Sequence, residues 1–269
     1  MGEDLREPVW LADYSDGGEV HFRIGRRGDE VIAEWTDTAR LIARRDGSGA
    51  RLEPMSGASD DNLEKIRNGS AVLLVRHLEG RLALHGAVVA EGDRAVALLG
   101  RSGQGKSTLA AAMCGAGATL YSDDAIAIDP AGGKFLVQPL ERKHWLDADA
   151  RRALRSFDVG DGDDGKRPSP AVATGTEPAA LVAIVDLEFD DVPARLVRTS
   201  GLDAMASLVP QAVRFALDDA ERHKRELEML TEIVGAVPTY RLERRRDFSE
   251  LPSAVRLVRR LLRNDPEAP

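Results

Sequence analysis

Hydrophobic and polar positions change period several times along the chain. Over residues 1–80 the pattern is one of short strands followed by one helix. Glu19–Ile24, Glu30–Thr36 and Ala39–Arg45 mix apolar and polar residues at short period. Turn residues at 17–18, 25–29 and 46–49 separate them. From Asp60 the period lengthens. Leu63, Ile66, Leu73, Leu74 and Leu78 share one helical face, with Asp60 as the expected N-cap and Gly69 as a weak point inside.

The rest of the chain alternates strands and helices. Leu82 to Ala90 is apolar and closes at Glu91-Gly92-Asp93, a hairpin turn. Ala95 to Leu99 is a continuous apolar run, as expected of a strand buried on both faces. A Gly-rich turn follows, then a helix from Lys106 to about Ala116 that Gly115 and Gly117 stop. Thr119–Asp129 and Lys134–Val137 predict further strands, and Asp147 opens a helix to about Phe157. Asp158 to Pro170 is loop by composition, either a lid that orders on substrate or an idle insertion. Beyond it the pattern gives strands at Leu181–Leu187 and Ala194–Arg198, then a helix from Leu202. A charged helix presents Leu227, Leu230 and Val234 on one face. A strand near Thr239–Glu243 precedes a last helix carrying Leu251, Val255, Val258 and Leu262. The fold class expected is α/β with a mixed sheet.

Composition narrows this picture. A chain of 269 residues suits one or two domains, and 43% hydrophobic residues can bury a sizeable core. Net charge is −8, which argues against broad binding to nucleic acid or anionic membrane but leaves room for a local basic pocket. Cys114 is the single cysteine, so no intramolecular disulfide or structural zinc site can form. It faces an Ala-rich helix, as a core residue would. The longest apolar run, Ala179 to Val185, is too short to span a bilayer, and the first residues are acidic with no apolar run. A cytoplasmic protein is expected.

The strongest chemical signal is Gly100-Arg101-Ser102-Gly103-Gln104-Gly105-Lys106-Ser107, followed by Thr108. It fits the phosphate-loop pattern G-x-x-x-x-G-K-[ST], with a buried strand before it and a helix after it. Glycines let backbone N–H groups converge on phosphate oxygens, and the helix N-terminus adds positive dipole. Lys106 is expected on the β- and γ-phosphates of ATP, and the Ser107 hydroxyl on Mg²⁺. Asp123 and Asp124 follow the helix. Of two carboxylates beside a nucleotide, one can hold Mg²⁺ and the other can accept a proton from a substrate hydroxyl. Their mutual repulsion favours base behaviour in one of them. His85, in the apolar stretch upstream, is either a core residue or a group near the chemistry.

Three segments in this order resemble the catalytic domain of HPr kinase/phosphorylase: Leu84-His85-Gly86-Ala87-Val88-Val89, the phosphate loop, and Ser122-Asp123-Asp124-Ala125-Ile126. His85 lies 21 residues before Lys106, and Asp123 lies 17 after it. The resemblance is most specific over residues 82–129. It implies a phosphate-loop fold of the phosphoenolpyruvate carboxykinase type over 81–269; the residue pattern itself gives the small β-rich domain with one helix over 1–80. It also implies Asp123 as general base, Asp124 as the Mg²⁺ partner with the two roles exchangeable, and His85 beside the transferring phosphate. The implied acceptor is a serine of a protein or peptide, including natural-product precursor peptides. Assembly as a homo-oligomer is a further implication. The second, asparagine-containing signature of the bifunctional enzyme is absent after Asp124, and 1–80 does not match its N-terminal domain. Neither a reverse phosphorylase activity nor HPr itself as substrate therefore follows.

Weaker features leave alternatives open. Arg142, within Glu141-Arg142-Lys143-His144-Trp145, is a substrate or phosphate clamp or a solvated loop residue. Arg244-Arg245-Arg246 reads as a solvated charge run. The same site chemistry would serve a small-molecule hydroxyl kinase acting on a sugar, amino acid or antibiotic. A nucleotide-binding scaffold that transfers nothing is the reading from outside enzymology.

Overall fold

The computed structural model describes residues 7–140, 143–154, 167–170, 173–217 and 220–263. The chain divides into two compact units, Met1–Ala83 with Val213–Glu226, and Leu84–Ala212 with Leu227–Pro269.

The first unit is built on an antiparallel meander in sequence order: β1 (Val9–Asp16), β2 (Glu19–Arg27), β3 (Glu30–Trp35), β4 (Ala39–Arg44) and β5 (Arg51–Pro54). The period-two pattern puts Phe22, Ile24, Ala33, Trp35 and Leu41 on one face. There they pack with Leu74, Leu78, Phe215 and Leu217. On the other face Glu34 is buried between Arg23 and Arg40, whose Nε atoms donate to it at 2.8 and 2.9 Å. Burial opposes its ionisation, but the hydrogen bonds from Arg40 and Arg23 outweigh burial and hold its pKa below the usual range.

Two strands here were invisible to periodicity. β1 exposes Val9, Leu11 and Tyr14, and β5 is four residues long and ends in proline. The expected single helix is two, α1 (Asp60–Asn68) and α2 (Ser70–Leu78), because Gly69 leaves helical space at φ −106°, ψ −103°. The N-cap is Ser59, whose hydroxyl accepts the Asn62 N–H at 3.3 Å; Asp60 is the first helical residue.

The second unit runs β6 (Ala83–His85), β7 (Ala87–Glu91), β8 (Arg94–Leu99), α3 (Lys106–Gly115), β9 (Thr119–Ser122), β10 (Ala125–Ala131), β11 (Lys134–Val137), β12 (Lys143–Leu146), α4 (Ala148–Ala153), β13 (Arg167–Pro170), β14 (Ala179–Phe189), β15 (Arg195–Thr199), α5 (Leu202–Leu208), α6 (Ala220–Ala236), β16 (Thr239–Arg244) and α7 (Leu251–Arg263). The first residues of β6 and α6 count with the first unit.

Among the described residues nine strands form one mixed sheet, in the order β6-β10-β11-β14-β8-β7-β9. β16 lies along the second half of β14, and β15 lies outside β16. β8, β14 and β16 are parallel neighbours. This is the mixed α/β fold the pattern predicted. β12 and β13 make a separate two-stranded ribbon, so residues 167–170, expected in a loop, are paired backbone instead.

α3 and α7 pack on the sheet, where Leu109 and Met113 of α3 and Val255, Val258 and Leu262 of α7 share a core with Leu98, Val185 and Leu242. At about 1.5–3 kcal/mol per fully buried aliphatic side chain, this layer fixes the strands whose ends carry the site. Cys114 is part of it, and burial pushes its thiol pKa up to about 12. In α6 the buried positions are Leu230 and Ile233, while Leu227 is exposed, so its inward face is rotated from the one expected. Among the described residues, no helix is long and apolar enough to cross a membrane.

Candidate functional site

β8 is buried on both faces, with Ala95 to Leu99 fully enclosed, so the loop after it starts from a fixed point. Gly100, Gly103 and Gly105 take φ of +133°, +82° and +82°, backbone that other residues rarely adopt. A Cβ on Gly100 would also lie 2.9 Å from the Leu187 carbonyl oxygen of the neighbouring strand. Gly105 caps α3 without a side chain, which leaves the first-turn N–H groups for a ligand. Lys106 arches back over the loop, its Nζ donating to the Gly100 and Arg101 carbonyls at 2.8 and 3.2 Å. In register with Leu99 is Asp186 of β14. Burial raises the Asp186 pKa against a hydrogen bond from Ser207 and the charges of Arg241, Lys106 and Arg101.

The two adjacent aspartates stand at a break in the chain. A single strand was expected over Thr119–Asp129, but β9 ends at Ser122 and β10 begins at Ala125, with the Ser122 hydroxyl bonded to the Ala125 backbone across the gap. The two carboxylates have different surroundings. Asp123 is 2% exposed, and its Oδ2 accepts the Trp145 N–H of β12 at 2.6 Å. His144 is fully buried with its Nδ1 3.8 Å from the same oxygen. Desolvation drives its pKa down to about 4, so its ring is neutral at pH 7. Asp124 faces solvent instead. Its Oδ1 lies 3.5 Å from Nδ1 of His85, and both side chains are part-exposed, at 41% and 43%. The Gly86 N–H points to the Asp124 carbonyl at 3.4 Å and ties the two segments together.

These groups line one cleft of about 280 Å³. Its walls include His85, Ser102, Gly103, Gly105, Lys106, Ser107, Thr108, Asp123 and Asp124. Gly100 and Gln104 support the loop from outside the cleft, Gln104 through its Oε1, which accepts the Phe189 N–H at 3.0 Å. Arg142 lies outside the described residues, as does most of the 158–170 loop.

No protein-family model matches the chain, and no curated protein matches its sequence. Among solved structures the chain is similar to the Hpr(Ser) kinase/phosphatase from Coxiella burnetii, at 11% identity over 66% of this chain and 95% of that one, with a TM-score of 0.35. A likeness at that level carries no argument about activity.

A further expectation is overturned. The Arg244-Arg245-Arg246 run is not uniformly solvated. Arg244 is 4% exposed, and its guanidinium sits 4.5 Å from the centre of the Phe189 ring. The parallel register that pairs Phe189 with Arg244 brings the end of β16 beside the phosphate loop. Arg246 also lines the cleft, while Arg245 turns to Glu250 at 3.1 Å. Trp145, Asp147, Phe189 and Phe248 are further cleft residues that sequence reasoning missed. A weak signal existed, since ligands gather at the carboxyl ends of parallel strands, and Arg244 follows a predicted strand.

The donor set suits Mg²⁺. Among the described residues no group of three or more His, Cys, Asp or Glu forms a closed metal site. The cleft offers the Ser107 hydroxyl and the two Asp carboxylates, and Mg²⁺ takes few protein oxygens and completes its shell with phosphates and water.

Proposed function

We propose that this chain is an ATP- and Mg²⁺-dependent phosphotransferase of the HPr-kinase type, moving the γ-phosphate to a serine hydroxyl of a peptide or protein in the cytoplasm. The observation that carries the reading is the cleft itself. A glycine-shaped phosphate loop with Lys106 and Ser107 shares it with the solvent-facing His85–Asp124 pair. The loop N–H groups and Lys106 hold the phosphates. Mg²⁺ would neutralise phosphate charge, held by Ser107 and one carboxylate.

The sequence left the two Asp roles exchangeable, and the surroundings favour the exchange. Asp124 is open and paired with His85, so it is the group that accepts the hydroxyl proton. Asp123, anchored by the Trp145 N–H, is the carboxylate that serves the metal. The net charge of −8 supports an acceptor that is neither nucleic acid nor membrane. Assembly as a homo-oligomer belongs to the same proposal.

The test is transfer of labelled γ-phosphate to serine-bearing peptides and to a metabolite pool. Label is expected on a peptide serine, lost in Lys106→Ala and reduced roughly 10²–10⁴-fold in Asp124→Asn, the range for removing a general base. Label confined to a metabolite would move the acceptor class to small molecules. Full activity in Lys106→Ala would sink the phosphate-loop reading.

A further inference from the structure

Arg244 is a buried cation with no ion pair among the described residues. Its hydrogen bonds among those residues are two long ones, both at 3.5 Å, from Nη1 to the Arg245 carbonyl and from Nη2 to the Gln104 carbonyl. The Phe189 ring beneath it supplies a cation–π contact at 4.5 Å. Glu250 acts on it only through its charge and is itself committed, its two carboxylate oxygens taken by Arg245 and by the Ala194 N–H. Taking a guanidinium out of water without a carboxylate is costly. Such a group is readily explained where an anion arrives later.

The place where an anion would arrive is adjacent. The Arg244 guanidinium lies against the Gln104–Gly105 end of the phosphate loop. A Cβ on Gly105 would come within 2.7 Å of Nη2, so the absent side chain is what lets the two approach. Arg244 lines the same cleft as Lys106 and Ser107. Its neighbour Phe189 is tied to the loop through Gln104, which couples the stacked ring to the loop.

We infer that Arg244 is a direct ligand of the nucleotide's phosphate chain, a second cation supplied by the chain itself and held ready on Phe189. The inference rests on the phosphotransferase reading above and adds to it a residue from the last strand. A planar guanidinium reaches phosphate oxygens in a bidentate fork, which a lysine cannot copy. On binding, the two long bonds to carbonyls are exchanged for charge-assisted bonds to phosphate.

The experiment is titration of Mg-tripolyphosphate and of MgADP into wild type, Arg244→Gln, Arg244→Lys and, as a control, Arg245→Gln. Tripolyphosphate presents the phosphate chain without base or ribose, so contacts of Phe189 or Phe248 with the rest of a nucleotide do not enter. Arg244→Gln should weaken tripolyphosphate roughly 10- to 100-fold, the span for hydrogen bonds to a charged group. Arg244→Lys should recover part of that loss, and Arg245→Gln should stay within about twofold of wild type, since exposed ion pairs contribute little. If Arg244→Gln does not melt cooperatively, Arg244→Lys decides alone, with a several-fold loss expected. Wild-type tripolyphosphate affinity in the Arg244 variants overturns the inference while leaving the phosphate-loop reading standing. Failure of the wild type to bind either probe overturns both.

Discussion

Acid should weaken this protein through one buried ring. His144 on β12 is fully buried, and burial drives its pKa down to about 4. In the unfolded chain the same imidazole titrates near its ordinary value of about 6.5. The folded value lies below the unfolded one, so on acidification the unfolded chain takes the proton first. His144 therefore has no effect on the pH dependence above about pH 6.5, and it turns against folding as the pH falls toward 4. The gap is about 2.5 pH units, and at about 1.4 kcal/mol per unit it amounts to about 3 kcal/mol.

The perturbation that isolates it is His144→Gln, which cannot titrate. Urea unfolding of both proteins, repeated at steps from about pH 7.5 to about pH 4, gives the difference in stability at each pH. That difference should move by about 3 kcal/mol in favour of the Gln variant over the range. Carboxylates elsewhere titrate in both proteins and cancel. A difference constant to within about 1 kcal/mol would refute the premise that the ring is desolvated and neutral.

Two further outcomes follow from packing and charge. Gly86→Ala would place a Cβ 2.7 Å from both the Leu98 carbonyl oxygen and Cδ1 of Ile126. The backbone carbonyl cannot easily yield, so urea unfolding should show a loss of roughly 1–3 kcal/mol, and phosphate transfer should fall as the His85–Asp124 pair is disturbed. Burial opposes ionisation of Glu91, but its hydrogen bonds from Arg263 and Arg259 near the end of α7 prevail and lower its pKa. Glu91→Gln should therefore cost roughly 1 kcal/mol at pH 7, and the gap to wild type should close as the pH falls through the ordinary carboxylate range, which thermal melts at two pH values would show.

What could be read from the sequence was local. The strand Ala95–Leu99, the glycine-rich turn and the helix from Lys106 follow each other directly, and each is fixed by its own residue types. The break at Gly69 was also local, but a helical pattern on both sides outweighed a single glycine. The difference between Asp123 and Asp124 was not legible. It depends on β12 bringing the Trp145 N–H to Asp123, and on β6 bringing His85 to Asp124. Asp186, Phe189 and Arg244 were missed for the same reason. They reach the loop because β14 pairs with β8 and β16 with β14, all in parallel. Pairing between strands so far apart in the chain leaves no mark on local periodicity.

The acidic net charge and an anionic ligand are reconciled at the loop. A chain carrying −8 has carboxylates to spare, yet cations gather at the phosphate loop: Lys106 donates to the carbonyls of Gly100 and Arg101, and Arg244 to that of Gln104. Carbonyl oxygens are weaker partners than carboxylates, so an arriving phosphate would compete well for the Arg244 guanidinium, whose bond to Gln104 is long at 3.5 Å. Asp186, the carboxylate in register with Leu99, is buried, held by the Ser207 hydroxyl and shifted toward its neutral form. The open carboxylate, Asp124, is paired with His85, where the proposed transfer would release a proton. The acid and base groups are thus sorted by position within one cleft. That sorting, more than the net charge, is what supports a phosphate as the ligand.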